Sequence, residues 1–360
     1  MERFGFVGLP NAGKSSLFNA LAGGGALAAP FPFATKEKNV GRARVPDHRL
    51  LALAEMSKSK NVVHAACEFV DIGGLVEGAS VGEGLGNKFL GDIREVEVIV
   101  YVLRAFEDDD VMGPTNPLDH LAIVETELCL ADLATVEREH NKKVRLSKLD
   151  KTLGAEIDAL GAALAELSDG TPIYRSTLKA DQKDLLEPSF LLTNKPVLAV
   201  VNVSEGDLDP AAAAAKAQPV IDEMKGHADV LAMCVQLEAE AAMVEEAERQ
   251  EMLDAFGLGE GALPRVVHAA YHLLGRRTFL TTGEKESRAW TFRTGAKAPE
   301  CAGVIHSDFQ RGFIRAEVVN WQELLDLGSW SKARDAGKLR VEGKDYLAQD
   351  GDVMEFRFNV

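Results

Sequence analysis

Cysteine is scarce in this chain. Cys67, Cys129, Cys234 and Cys301 lie far apart and form no CxxC pair. That argues against a disulfide framework or a zinc ribbon and for a reducing compartment. Long apolar runs are missing as well, and none approaches the ~18 residues of a membrane span. The opening MERFGFVGLP enters a strand at once and has no signal-peptide architecture. A soluble cytoplasmic protein with no membrane partner is expected. Basic charge is in deficit: 40 Lys and Arg stand against 56 Asp and Glu, a net −16. Such a surface cannot wrap a phosphate backbone everywhere, so any nucleic-acid contact is local, and DNA sequence specificity is not expected. The deficit is uneven. Residues 277–360 hold 13 basic and 13 acidic side chains, so residues 1–276 carry the entire −16.

What is present is ordinary globular material: 360 residues, 46% hydrophobic and 27% charged. This suits about two to three domains of roughly 150 residues and excludes a disordered or fibrous chain. Residues 4–7, 67–72, 96–103, 196–203 and 230–235 read as buried strands separated by helical text. That alternation predicts a parallel sheet in an α/β domain. Residues 118–153 lack Gly and Pro, and apolar residues recur at threes and fours from Leu121 on to Leu167. One long helix or a helical hairpin is expected there. Within it, residues 137–151 hold six basic and three acidic side chains, either a solvated face or a local patch for RNA phosphate. Further helices are expected at 180–187, 239–254 and 265–274. From about 277 the text becomes short strands and turns, a small β-rich domain.

Gly8-Leu9-Pro10-Asn11-Ala12-Gly13-Lys14-Ser15 matches GxxxxGK[ST] between the first strand and the first helix. There, backbone N–H groups and the helix dipole converge on an anion. Lys14 is placed to reach the β- and γ-phosphates, and the Ser15 hydroxyl to ligate Mg²⁺. Asp71-Ile72-Gly73-Gly74 ends a later strand. Its Asp can reach the metal through water, and the Gly74 N–H can touch the γ-phosphate. Thr35 is the candidate for a second hydroxyl on Mg²⁺.

Two familiar pieces are absent. Leu75 follows DxxG where a water-orienting Gln often stands, and an apolar side chain cannot polarise water. The guanine-reading NKxD is missing too. Asn194-Lys195-Pro196-Val197 precedes a strand instead of following one, and it ends in Val. The proper slot reads Asn202-Val203-Ser204-Glu205. An Asp there would accept both guanine N1–H and the 2-amino group. Glu is one methylene longer, which makes adenine the plausible base. Backbone groups near Val203 and Val235 are then candidates to meet the adenine amine.

Several segments together resemble the YchF / Obg-like ATPases, a branch of the translation-factor P-loop GTPases, over essentially the whole chain. They are GLPNAGKSS (8–16), PFPFATKEKNVG (30–41), DIGGLVEGASVGEGLGNKFL (71–90), NVSE (202–205) and two stretches in 302–360. The resemblance implies a Ras-like nucleotide-binding domain at 1–119 and 193–276, a helical hairpin at 120–192 and a β-grasp TGS domain at 277–360. It implies ATP preferred over GTP through Asn202 and Glu205, with Mg²⁺, a K⁺ ion helped by Asn11, and a ribosome or RNA partner. The nucleotide site is expected at Asn11, Ala12, Gly13, Lys14, Ser15, Ser16, Gly74, Asn202, Val203, Glu205 and Val235. Lys14 and Asp71 are expected to serve catalysis. Known relatives carry a His in the loop after residues 96–103. Here residues 106–114 contain none, and His120 downstream is the substitute candidate. Gly73 also departs from the family's Ala. A slow Mg²⁺-dependent ATPase acting as a ribosome-associated switch is the expected function. The alternative is a guanine-specific ribosome-associated GTPase.

Overall fold

The structure, a computed structural model, describes residues 2–22, 40–72, 85–108 and 112–359. Seven strands come first among them: β1 (Arg3–Val7), β2 (Val40–Arg44), β3 (Asn61–Val63), β4 (Ala66–Asp71), β5 (Val98–Arg104), β6 (Val197–Asn202) and β7 (Asp229–Met233). Five follow: β8 (Arg276–Thr281), β9 (Glu286–Arg293), β10 (Phe313–Asn320), β11 (Arg340–Glu342) and β12 (Asp352–Phe358). The helices among them begin with α1 (Lys14–Ala22), α2 (His48–Ser57), α3 (Leu85–Arg94), α4 (Pro117–Leu146), α5 (Gly154–Ser168) and α6 (Ala180–Leu186). They continue with α7 (Pro210–Met224), α8 (Val235–Ala242), α9 (Glu246–Ala255), α10 (Leu263–Leu273) and α11 (Ala298–Ile305). None of the described helices is long and apolar enough to cross a membrane.

The chain divides into two compact units, Met1–Ala43 with Glu68–Ala270, and Arg44–Cys67 with Tyr271–Val360. In the first, one sheet runs in the order β2-β4-β1-β5-β6-β7. The pairs from β4 across to β7 are parallel. β5 (VIVYVLR) and β6 (VLAVVN) are buried at every residue, because helices cover both faces of a parallel sheet. The register aligns the strand ends: Phe6 lies opposite Asp71, Val7 opposite Tyr101, Arg104 opposite Asn202, and Asn202 opposite Met233. The loops leaving these ends share the carboxyl edge of the sheet, where open α/β sheets bind ligands.

The Gly/Pro-free stretch is the first arm of a hairpin. α4 starts on an Asn116 cap that accepts from the Leu118 N–H at 3.0 Å, with Pro117 in the first turn. α5 returns along it, and Cys129, Val136, Ala159, Leu160, Ala163 and Leu167 form their shared core. Buried Asp132 fixes the hairpin's outer segment ahead of β6. It accepts from the N–H groups of Leu192 (3.0 Å) and Thr193 (2.7 Å) and from the Thr193 hydroxyl (2.7 Å).

The second unit holds a mixed sheet ordered β11-β10-β12-β8-β9-β3. Its core packs Phe279, Phe292, Cys301, Ala316, Val318 and Phe356, with α11 against β9 and β10. Phe279 meets Phe356 edge-on at 5.8 Å. Residues 44–67, which sequence order assigns to the nucleotide-binding domain, belong here. β3 pairs parallel with β9. Arg49 bonds both Asp47 and Asp350, and Asp350 in turn accepts from the Thr278 N–H. Sequence order misleads because pairing with a strand more than two hundred residues away decides where the segment packs.

Three local expectations are corrected. The strand expected at 230–235 stops at Met233; Cys234 is the N-cap of α8 and Val235 opens that helix. The helix expected over 239–254 is two helices, α8 and α9, interrupted at 243–245. An unexpected helix, α7, contains Pro219. Replacing Asp132 by Ala strands two buried N–H groups and is expected to cost about 3 kcal/mol. The urea midpoint of the first unfolding transition should fall, and Asp132→Asn, which keeps one acceptor oxygen, should lose less.

Candidate functional site

The phosphate loop leaves β1 under tight steric control. A Cβ on Gly8 would lie 2.4 Å from the Val102 carbonyl oxygen, so no side chain fits where β1 passes β5. Gly13 has φ +103°, and its Cβ would lie 2.5 Å from the Asn202 amide nitrogen. Asn11 is left-handed at φ +60°. α1 then starts at Lys14, so its unpaired N–H groups open on the loop.

Lys14 is buried, and its Nζ donates to the Leu9 carbonyl at 2.8 Å. Burial pushes its pKa below the ordinary lysine value, and the nearby Asp71 carboxylate partly opposes this. Ser15 Oγ donates to Asp71 Oδ2 at 2.8 Å. The residue assigned to direct Mg²⁺ contact and the residue assigned to contact through water therefore touch, one from α1 and one from the end of β4. No cluster of three or more His, Cys, Asp or Glu suited to a metal exists among the described residues. Two oxygens fit Mg²⁺, which keeps several waters and takes phosphate oxygens. They do not fit an ion held by protein alone.

Asn202 joins the loop to α8. Its Nδ2 donates to the Ala12 carbonyl at 3.0 Å, and its Oδ1 accepts from the Val235 N–H at 3.0 Å. The Val203 N–H is also taken, by the Met233 carbonyl at 3.0 Å. An adenine amine donates, so near Val203 and Val235 only a backbone carbonyl could meet it; the two N–H groups are engaged within the protein. Glu205 sits exposed on a single 3₁₀ turn, Glu205–Asp207, at the cleft's edge. The misplaced NK pair has structural work. Asn194 donates to the Lys183 carbonyl, and Lys195 caps the carbonyls of Arg94 and Val96.

These parts surround a cleft of about 990 Å³. Asn11, Gly13, Lys14, Ser15 and Ser16 line its phosphate end, and Asn202, Val203, Glu205 and Val235 line the other. Ala12 is buried behind the loop, and Asp71 reaches the site through Ser15. Thr35, Gly73, Gly74 and Leu75 lie outside the described residues. His120 does not line the cleft. Its ring is buried and bonds the Pro114 carbonyl at 2.7 Å, and burial lowers its pKa. Buried at the start of α4, it is not among the side chains that line the cleft.

Sequence reasoning missed two walls. Gln236, Ala239, Glu240 and Met243 face the cleft from α8 and its C-cap. Their i, i+3, i+4, i+7 spacing was readable had the helix been started at Val235. Phe106, Glu107 and Asp108 form the other wall. Buried Arg104 shapes it by donating to the Phe106 carbonyl at 3.0 Å, with its guanidinium 4.7 Å from the Phe106 ring centroid. Among the described residues the cleft is thus acidic at Glu107, Asp108, Glu205 and Glu240, with Lys14 as the lining cation. A polyphosphate carries more charge than one lysine neutralises, so the site suits a nucleotide that arrives with a metal.

Comparison with known proteins agrees with this geometry. Residues 3–144 match a family described as "50S ribosome-binding GTPase". Residues 277–359 match YchF-GTPase_C, described as "Protein of unknown function (DUF933)". The chain is 45% identical over 361 residues to the "Ribosome-binding ATPase YchF" of Bacillus subtilis, covering 99% of each chain. It is 43% identical over 365 residues to the protein of that name from Escherichia coli O157:H7, again covering 99% of each. The solved Schizosaccharomyces pombe YchF GTPase is 32% identical with a TM-score of 0.88, over 99% of this chain and 97% of that one. With a complete phosphate loop, the altered base-reading slot and full-length similarity at both sequence and fold level, the chain belongs to the YchF family of P-loop nucleoside triphosphatases.

Proposed function

We propose that this protein is a slow Mg²⁺-dependent ATPase, taking GTP more weakly, that works as a ribosome-associated switch. The contact between Ser15 and Asp71 at the mouth of the phosphate loop carries the reading, because it supports a metal–triphosphate complex at this edge. When bound, Mg²⁺ neutralises charge on the β- and γ-phosphates. Ser15, Asp71 through water, and Thr35 would hold it. Asn11 would help hold K⁺, with phosphate oxygens completing that site. Lys14 leaves the Leu9 carbonyl for the phosphates. Leu75 offers no hydrogen bond to an attacking water, so turnover is slow and the activating group is another.

The names of the relatives differ on the base: ATPase for the bacterial proteins and GTPase for the fission-yeast one. The site favours ATP, since Glu205 stands where guanine recognition requires Asp, and adenine makes no use of that carboxylate. The ribosome enters through the names of the bacterial relatives and the matched family.

Lys14→Ala removes a charge-assisted bond to phosphate worth roughly 1.5–3 kcal/mol, one to two decades of ATP affinity. Calorimetry on a variant with an unchanged circular-dichroism spectrum checks this, and parental affinity would refute the loop's role. Asn202→Ala and Glu205→Asp should separate scaffold from base reading. The first leaves a buried N–H and carbonyl unsatisfied at roughly 1–3 kcal/mol. It should weaken ATP and GTP alike. The second should leave ATP nearly unchanged and shift the GTP-to-ATP affinity ratio toward GTP by about tenfold, near the low end of the roughly 1.5–3 kcal/mol for a charged hydrogen bond. Competition titrations against a fluorescent nucleotide give both ratios. An unmoved ratio in Glu205→Asp would remove Glu205 from base choice.

A further inference from the structure

The far end of the α4–α5 hairpin has no task in the nucleotide site. Val136 is the last buried residue of α4 and Ala159 the first of α5; nothing in residues 137–158 is buried. This end nevertheless exposes three apolar side chains, Leu149 at 92%, Leu146 at 46% and Val144 at 40%. Over residues 137–151 it also reverses the chain's charge, with six basic against three acidic side chains, and Glu137 and Asp158 lie at its two edges. Glu139 and Glu156 are answered by Arg138, Lys142 and Lys143. Asp150 is engaged in capping Thr152. Arg145, Lys148 and Lys151 pair with no acid among the described residues.

Cations in the last turn of a helix complement its dipole. That accounts for Lys143 and Arg145 but not for Lys148 and Lys151, which lie beyond the end of α4. In a protein of net charge −16, an unneutralised basic knob will not gather by general composition. Its complement is a dense polyanion, whose condensed counterions are released on contact.

We propose that the hairpin tip, through Arg145, Lys148 and Lys151, docks on the phosphate backbone of RNA, with Leu149 packing beside it. The proposal deepens the ribosome-associated reading and rests on it for the source of that RNA. It places the RNA contact apart from the cleft, so tip and nucleotide site are separable by mutation.

The test uses full-length protein, purified ribosomal subunits and a labelled A-form RNA hairpin, each over a range of salt. The triple variant Arg145→Ala, Lys148→Ala, Lys151→Ala should bind subunits at least tenfold more weakly while ATP affinity stays parental. Its dependence of log affinity on log salt should flatten by about two to three, given ~0.7–0.9 per phosphate contact. All three side chains are exposed, so thermal stability should not move. Parental affinity and slope in the triple variant would overturn the proposal. So would loss of binding in Leu149→Ser with the triple variant unaffected, which would mark the tip as a contact for protein. Failure of the wild-type chain to bind subunits would refute the ribosome reading instead. The RNA hairpin then decides the tip: binding that the triple variant loses upholds it, and no binding ends it.

Discussion

One buried amide holds the nucleotide cleft together. Asn202 sits at the carboxyl end of β6, opposite Arg104 on one side and Met233 on the other. From there it bonds the Ala12 carbonyl of the phosphate loop and the N–H of Val235, the first residue of α8. Gly13 is a glycine partly because this amide stands 2.5 Å from where its Cβ would be. The phosphate end, set by β1 and α1, and the base end, set by β6 and α8, are fixed relative to each other by that side chain. In a buried setting a half-satisfied amide is costly, so the loop, the strand and the helix start form one consistent arrangement.

The electrostatics of the cleft follow from how little positive charge its described residues supply. Lys14 is the lining cation, its charged form disfavoured by burial and supported by Asp71. Ser15 and Asp71 together offer too few oxygens for a protein-only metal site. A triphosphate and its metal complete each other in such a place. Among the described residues the far wall is acidic and carries no cationic side chain. Glu205 sits exposed on a short turn at the edge of the cleft.

Much of this was legible in the sequence, for physical reasons. β5 and β6 are buried on both faces and therefore read as unbroken apolar runs. The phosphate loop was readable because backbone geometry demands Gly8 and Gly13. The decoy at Asn194 was rejected by its place before a strand, and the structure gives it and Lys195 carbonyls to bind. What stayed hidden depends on distant partners. β2, VGRAR, is an edge strand with polar alternation. Residues 44–67 join a sheet formed mostly after residue 275. Pro219 disguised α7, where the alanine run around it carries the helix through. His120 looked available because a sequence cannot show that its ring is buried against Pro114. The α8 wall was missed by a two-residue error in where a strand ended.

The central claim is that this cleft prefers ATP because Glu205 stands where guanine recognition requires Asp. Calorimetric titration of the wild-type protein with ATP and with GTP, at equal Mg²⁺ and with K⁺ present, tests it most directly. The account predicts tighter binding of ATP. GTP binding tenfold or more tightly than ATP would contradict it and leave the guanine-specific reading in its place.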